Sequence, residues 1–179
     1  MKVKTALFIT VLFLLFNSCD DSTPTGPNGG NNTFPDNVVE TVNVGIAPTC
    51  ICTLPSGDYL YVSNTGGNNV SVISTSDNSV VATVDVGDAP SGICSLPSGN
   101  YVYVCNSGDG NVSVIRTSDN SVIATINVGD NPSWGICSLP SGDYVYVINR
   151  NDATVSVIRT SDNTVVATVD VGWGPWGIC

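Results

Sequence analysis

The stretch Leu96-Pro97-Ser98-Gly99-Asn100-Tyr101-Val102-Tyr103-Val104-Cys105-Asn106 reads as a tight turn running into a strand. Asn111-Val112-Ser113-Val114-Ile115-Arg116 reads as a second strand after a second turn. Proline, glycine and asparagine supply turn geometry, while β-branched and aromatic residues between them favour extended backbone. The same wording recurs on both sides. LPSG stands at Leu54–Gly57, Leu96–Gly99 and Leu139–Gly142, at steps of 42 and 43 residues. YVSN, YVCN and YVIN fill Tyr61–Asn64, Tyr103–Asn106 and Tyr146–Asn149, and Asn69–Ile73, Asn111–Ile115 and Thr154–Ile158 follow as NVSVI, NVSVI and TVSVI. The one extra residue lies within Asn131–Trp134, where NPSWGIC stands in place of APSGIC.

Each unit holds four β-rich runs, which in the second are Ser91–Leu96, Tyr101–Cys105, Asn111–Arg116 and Ser121–Val128. Turn residues break the chain between them. Four strands at this period predict one blade of a β-propeller. No segment has helical periodicity, which excludes a solenoid of helix pairs. In Val112–Ile115 and Val122–Ile126 apolar residues take both faces, as expected of a sheet covered on both sides by neighbouring blades.

Complete units run Gly45–Gly87, Gly87–Gly129 and Gly129–Gly172. Val38–Val44 matches only the last strand of a unit, and Pro175-Trp176-Gly177-Ile178-Cys179 only the first strand of another. The expected fold is all-β: a propeller of four-stranded antiparallel blades, three of them complete, with partial blade strands at both ends. An uncovered blade face and unpaired edges are costly, so the reading expects a fragment of a larger propeller. A homo-oligomer that joins partial rings, or an open arc, are the alternatives.

These motifs resemble the YVTN β-propeller repeat, whose pattern runs roughly VGxxPxGIAxSPDGxxxYVxN, then NxVSVIDT, then V-V-A-T-I-x-VG. The resemblance covers Asp36 to Cys179 in register. It departs from the pattern at Ser98, in place of the Asp of SPDG, and at Ser74, Arg116 and Arg159, in place of the Asp of VSVIDT. Similar repeats occur in bacterial surface lipoproteins, archaeal surface-layer proteins, lactonase-like enzymes and propeller subunits of quinone-cofactor dehydrogenases, so the fold alone selects no function.

The N-terminus follows an export pattern. Lys2 and Lys4 precede an apolar run, Ala6–Phe16, that at 11 residues is too short to span a bilayer. Leu15-Phe16-Asn17-Ser18-Cys19 resembles a bacterial lipobox, although Phe16 and Asn17 depart from it. Residues 1–18 are therefore expected to form a lipoprotein signal peptide and Cys19 the lipidated first residue, followed by a Gly/Pro/Asn-rich linker over 19–35 and the repeats over 36–179. This implies a folded part held by acyl chains in the bacterial cell envelope, periplasmic or on the outer surface.

The chain carries 5 Lys+Arg against 15 Asp+Glu and no His. So acidic a surface repels phosphate backbones and argues against nucleic-acid partners. Without His, both the usual general base and the commonest metal ligand are missing. No catalytic residue, metal set or cofactor is assigned.

Cys52, Cys94, Cys137 and Cys179 fill one repeat position. If Leu96 pairs with Tyr101, Cys94 faces Tyr103 and Cys105 faces Gly92, which leaves the two thiols diagonal, roughly 7 Å apart and too far to bridge. The cysteines are expected to be small core residues.

The resemblance implies that ligand sites cluster on the rim where the outer-to-inner loops meet the loops between second and third strands. That rim carries the candidate residues Trp134, Trp173, Trp176, Asn64, Asn106, Asn149, Arg150, Asp109 and Asp152. The expected function is a membrane-anchored binding or scaffold module for a protein, peptide or glycan, with possible self-association and no evident catalysis. The alternatives are a fragment of a lactonase-like or cofactor-dehydrogenase-like enzyme, or a self-assembling surface-layer component.

Overall fold

Alternating turn and β-branched residues build twelve strands in the computed structural model, which describes residues 40–178. The signal peptide, Cys19, the linker, the first residues of Val38–Val44 and Cys179 lie outside the described residues. Blade 1 is β1 (Pro48–Thr53), β2 (Tyr59–Asn64), β3 (Asn69–Ser74) and β4 (Val80–Asp85). Blade 2 is β5 (Pro90–Ser95), β6 (Tyr101–Asn106), β7 (Asn111–Arg116) and β8 (Ser121–Asn127). Blade 3 is β9 (Pro132–Ser138), β10 (Tyr144–Asn149), β11 (Thr154–Arg159) and β12 (Thr164–Asp170).

Every blade is an antiparallel meander in chain order, with β1, β5 and β9 as its inner strand. The registers keep step with the repeat: Cys52 faces Tyr61, Cys94 faces Tyr103 and Cys137 faces Tyr146. Glu40–Val44 and Pro175–Ile178, read from the sequence as strands of partial blades, form no strand. A strand persists only where a neighbour takes up its N–H and C=O groups, and neither run is paired in a ladder.

The core lies between blades rather than within them. Leu54, Tyr61, Val70, Val72 and Val84 of blade 1 pack against Ile93, Val102, Val104 and Ile115 of blade 2. Blade 2 repeats this with Leu96, Tyr103, Val112, Val114 and Ile126 against Ile136, Val145, Val147 and Ile158. This is why the β7 sequence is apolar on both faces.

Polar groups are matched in the same rhythm. Tyr61 donates its hydroxyl to Asn120 Oδ1 and Tyr103 to Asn163 Oδ1, each at 2.7 Å. Both asparagines sit in the left-handed region at φ 55°, a conformation that asparagine tolerates in a tight turn. Ser95 Oγ donates to Thr53 O at 2.8 Å and Ser138 Oγ to Ser95 O at 3.0 Å, stitching the inner strands together.

One register differs from the sequence reading. Pro90 faces Asn106 but Ile93 faces Val104, so a bulge sets both Ser91 and Gly92 against Cys105. Cys105 points into the core at 0% exposure, and it and the other described cysteines are unbridged.

Candidate functional site

The loops after the second strand of each blade meet the linkers into each inner strand on one rim. The bond pattern fixes that meeting. Val86 N donates to Asn68 O, Val128 N to Gly110 O and Val171 N to Ala153 O, so each loop catches the linker that leaves its own blade.

Five of the nine candidate residues are held in this framework. Asn64, Asn106 and Asn149 are fully buried. Their Nδ2 groups donate to Asn69 and Ser71, to Asn111 and Ser113, and to Thr154 and Ser156, at 2.7–2.9 Å. Asn149 Oδ1 also accepts from Gly129 N at 3.0 Å. These side chains turn inward and lock the start of the third strand, so they support the rim from within rather than present their amides to solvent. The inward turn also explains the repeated VG ending: a Cβ on Gly129 would lie 2.6 Å from Asn149 Cγ, and one on Gly87 2.7 Å from Asn106 Cγ.

Asp109 and Asp152 stay on the rim, but each carboxylate is engaged. Asp109 Oδ2 accepts from Asp88 N at 2.8 Å and Asp152 Oδ2 from Asp130 N at 2.7 Å. Trp173 is 89% exposed and has no ring partner among the described residues.

The remaining three converge. Trp134 stacks on Trp176, with centroids 5.0 Å apart and planes 14° from parallel, and the Arg150 guanidinium lies 4.2 Å from the Trp176 centroid. Such a cation–π contact contributes about 0.5–1 kcal/mol at an exposed site. Trp134 remains 41% and Trp176 51% exposed.

The extra residue of the third unit is what creates this cluster. Blades 1 and 2 slip by one residue between the conserved proline and the inner-strand ladder. In blade 3, Pro132 faces Asn149 while Ile136 faces Val147, so Ser133, Trp134 and Gly135 all bulge opposite Ile148. Ser133 and Gly135 are buried, and Trp134 is thrown outward. A Cβ on Gly135 would collide with the Ile148 side chain, so the bulge turns tightly against β10. Bulges of this kind re-aim side chains, and here one places an aromatic ring at the surface.

Burial, with Cys50 nearby, pushes the Cys52 thiol up to about 12, and burial raises Cys94 and Cys105 as well. Among the described residues no group of three His, Cys, Asp or Glu is placed to hold a metal ion.

No protein-family model matches the chain, and no curated protein matches it. Solved structures do. Hydrazine synthase from Kuenenia stuttgartiensis is 29% identical, covering 76% of this chain and 40% of its own, with a TM-score of 0.71. A putative 6-phosphogluconolactonase from Bacteroides fragilis NCTC 9343 is 18% identical over 75% of this chain and 42% of its own, at TM-score 0.66. The WD40 repeats of RRP9 are 12% identical over 72% and 40%, also at TM-score 0.66. Repeat, blade topology and these neighbours define a β-propeller assembly of four-stranded blades. The chain spans about two-fifths of the length of these solved chains.

Proposed function

We propose that this chain is a lipid-anchored, extracytoplasmic propeller module that binds a protein, peptide or glycan through Trp134, Trp176 and Arg150. One observation carries the reading: the only unit to break the repeat does so by extruding a tryptophan, which joins a second tryptophan and an arginine on the rim. Partly exposed tryptophans offer large apolar area with a polar edge, as recognition surfaces do. On the same rim Asp130, Asn151 and Asp152 are linked by hydrogen bonds to one another.

Candidate glycans and peptides are titrated against the chain in native membranes or detergent while tryptophan emission is followed. The reading expects Trp134→Ala to weaken the best ligand at least tenfold; equal affinity in wild type and variant would falsify it. The anchor is tested separately, since Cys19→Ala should move the protein from the membrane fraction to the soluble fraction.

An enzymatic reading draws on the neighbours whose names denote enzymes, hydrazine synthase and a putative 6-phosphogluconolactonase. On the rim, Asp109 and Asp152 each accept a backbone N–H through one carboxylate oxygen.

A further inference from the structure

Three departures from the repeat meet at one place on the rim, and they change what the positions are used for. Arg150 stands where the first two units have Thr65 and Ser107. Those hydroxyls serve the fold: Thr65 donates to Pro90 O at 2.6 Å and Ser107 to Ala89 O at 2.7 Å. Trp134 and Trp176 each precede Gly-Ile-Cys, where the second unit has Ser91, a buried residue whose hydroxyl donates to Pro132 O at 3.4 Å. Hydroxyls that tie loops to linkers thus give way to a guanidinium and two partly exposed indoles. This arginine also differs from the other two described. Arg116 and Arg159 each close on an aspartate three residues on. Arg150 has Asp152 near it in sequence and Asp130 across the linker, yet neither forms an ion pair with it. Asp152 Oδ2 accepts from Asp130 N at 2.7 Å, and Asp130 Oδ2 from Asn151 Nδ2 at 3.0 Å. Arg150 N and Asn151 N donate to Asn131 O and Asp130 O, which pins the loop from which the guanidinium projects. Among the described residues that guanidinium has no ion-pair partner and lies over the Trp176 ring.

We propose that the site takes an acidic glycan, in which a hexuronic acid set among neutral sugars gives its carboxylate to Arg150 and a pyranose face to the indoles. The proposal rests on reading Trp134, Trp176 and Arg150 as a binding surface, and names the ligand class. A ring face attracts a cation but fills none of its hydrogen bonds, and the planar fork of N–H donors on a guanidinium matches a carboxylate. A pyranose chair presents a face of C–H groups of about the size of an indole, which is what the exposed ring surface can cover. A uronic acid carries both features on one rigid ring. Heavily sulfated or phosphorylated chains fit poorly, because Asp88, Asp109, Asp130 and Asp152 share this rim and the chain has a formal net charge of −10. A single carboxylate satisfies the arginine at the least repulsion.

The full chain in detergent is titrated by calorimetry, with a chelator present so that no metal bridges carboxylates. The probes are xylotriose bearing one glucuronic acid and the same oligosaccharide with that carboxyl reduced to an alcohol. The acid is expected to bind at least tenfold tighter than its reduced form. Arg150→Gln should remove that preference and leave the affinity for the reduced form unchanged, which also shows that the loop is intact. Trp134→Ala should weaken both sugars. Equal binding of the two sugars by the wild-type chain overturns the proposal, as does a preference that survives Arg150→Gln. If Trp134→Ala still weakens both sugars in those cases, the rim reading stands without it. Binding of neither sugar, while a peptide binds in a manner sensitive to Trp134→Ala, likewise overturns the glycan and keeps the rim. Sugar binding indifferent to Trp134→Ala removes the rim reading and the proposal together.

Discussion

Tyr103 reaches across the seam between two blades and donates its hydroxyl to Asn163 Oδ1 at 2.7 Å. Sixty residues of chain separate the two, and only the stacking of blades brings them together. Burial pushes the phenol up to about 12, so it stays a donor throughout the ordinary pH range. Tyr103→Phe removes the donor and leaves a turn carbonyl without its partner, at a cost of about 1 kcal/mol. Tyr146→Phe, at the same repeat position with no acceptor, should be neutral. Urea midpoints of the two variants check this; equal losses would mean that the hydroxyl contributes nothing specific.

Gly129→Ala should destabilise the protein by about 1–3 kcal/mol, the usual range for forcing a methyl into a filled space. The new Cβ would sit 2.5 Å from Asp152 Oδ2 and 2.6 Å from Asn149 Cγ. Gly172→Ala, at the same repeat position with nothing within 4 Å, provides the contrast and should cost far less. Chemical denaturation of both variants separates a packing clash from a general intolerance of alanine after the outer strand.

The opposite rim carries two arginine–aspartate pairs. Arg116 Nη2 lies 2.6 Å from Asp119 Oδ2, and Arg159 Nη2 lies 2.5 Å from Asp162 Oδ2. The Arg159 guanidinium, then the Thr164 hydroxyl, hold Asp162 down at about 2. A carboxyl depressed in the folded state contributes stability that is complete above its ordinary value near 4 and fades as the pH falls towards 2. Because the pairs are exposed, the effect is small and salt-sensitive. An NMR titration of Asp162 should show its midpoint rising in Arg159→Met; an unmoved midpoint would mean that the turn alone sets it.

Thiol reactivity offers a global check. With burial raising Cys52, Cys94 and Cys105, these thiols should react with a disulfide reagent at pH 8 far more slowly than free cysteine, then at the free rate in denaturant. Rapid labelling of all three in the native protein would contradict the inter-blade core.

The blades are legible because every unit repeats the same turn and strand signals, so the same pattern stands three times in one chain. Trp134, Trp176 and Arg150 were placed on the rim by loop position alone. Their mutual stacking was not legible, since it depends on how a bulge opposite Ile148 absorbs one residue. The burial of Asn64, Asn106 and Asn149 is hidden from the sequence for a related reason. Asparagine beside a turn looks like a surface residue, and its inward rotation becomes visible only once the glycine of the preceding linker closes on it. The strands expected at Val38–Val44 and Pro175–Ile178 match the repeat in wording, but local sequence carries no ladder partner.

Because successive blades meet through the same side chains in the same register, one unit can stand in for another at either seam. In genetic terms, unequal crossing-over within this locus is nearly silent structurally when it adds or deletes a whole unit. Each new junction would re-create a seam that already exists twice. A deletion out of phase would instead turn apolar strand faces towards water. Copy number should therefore drift readily among related genes, while the single-residue insertion that extrudes Trp134 marks one unit as no longer interchangeable with its siblings.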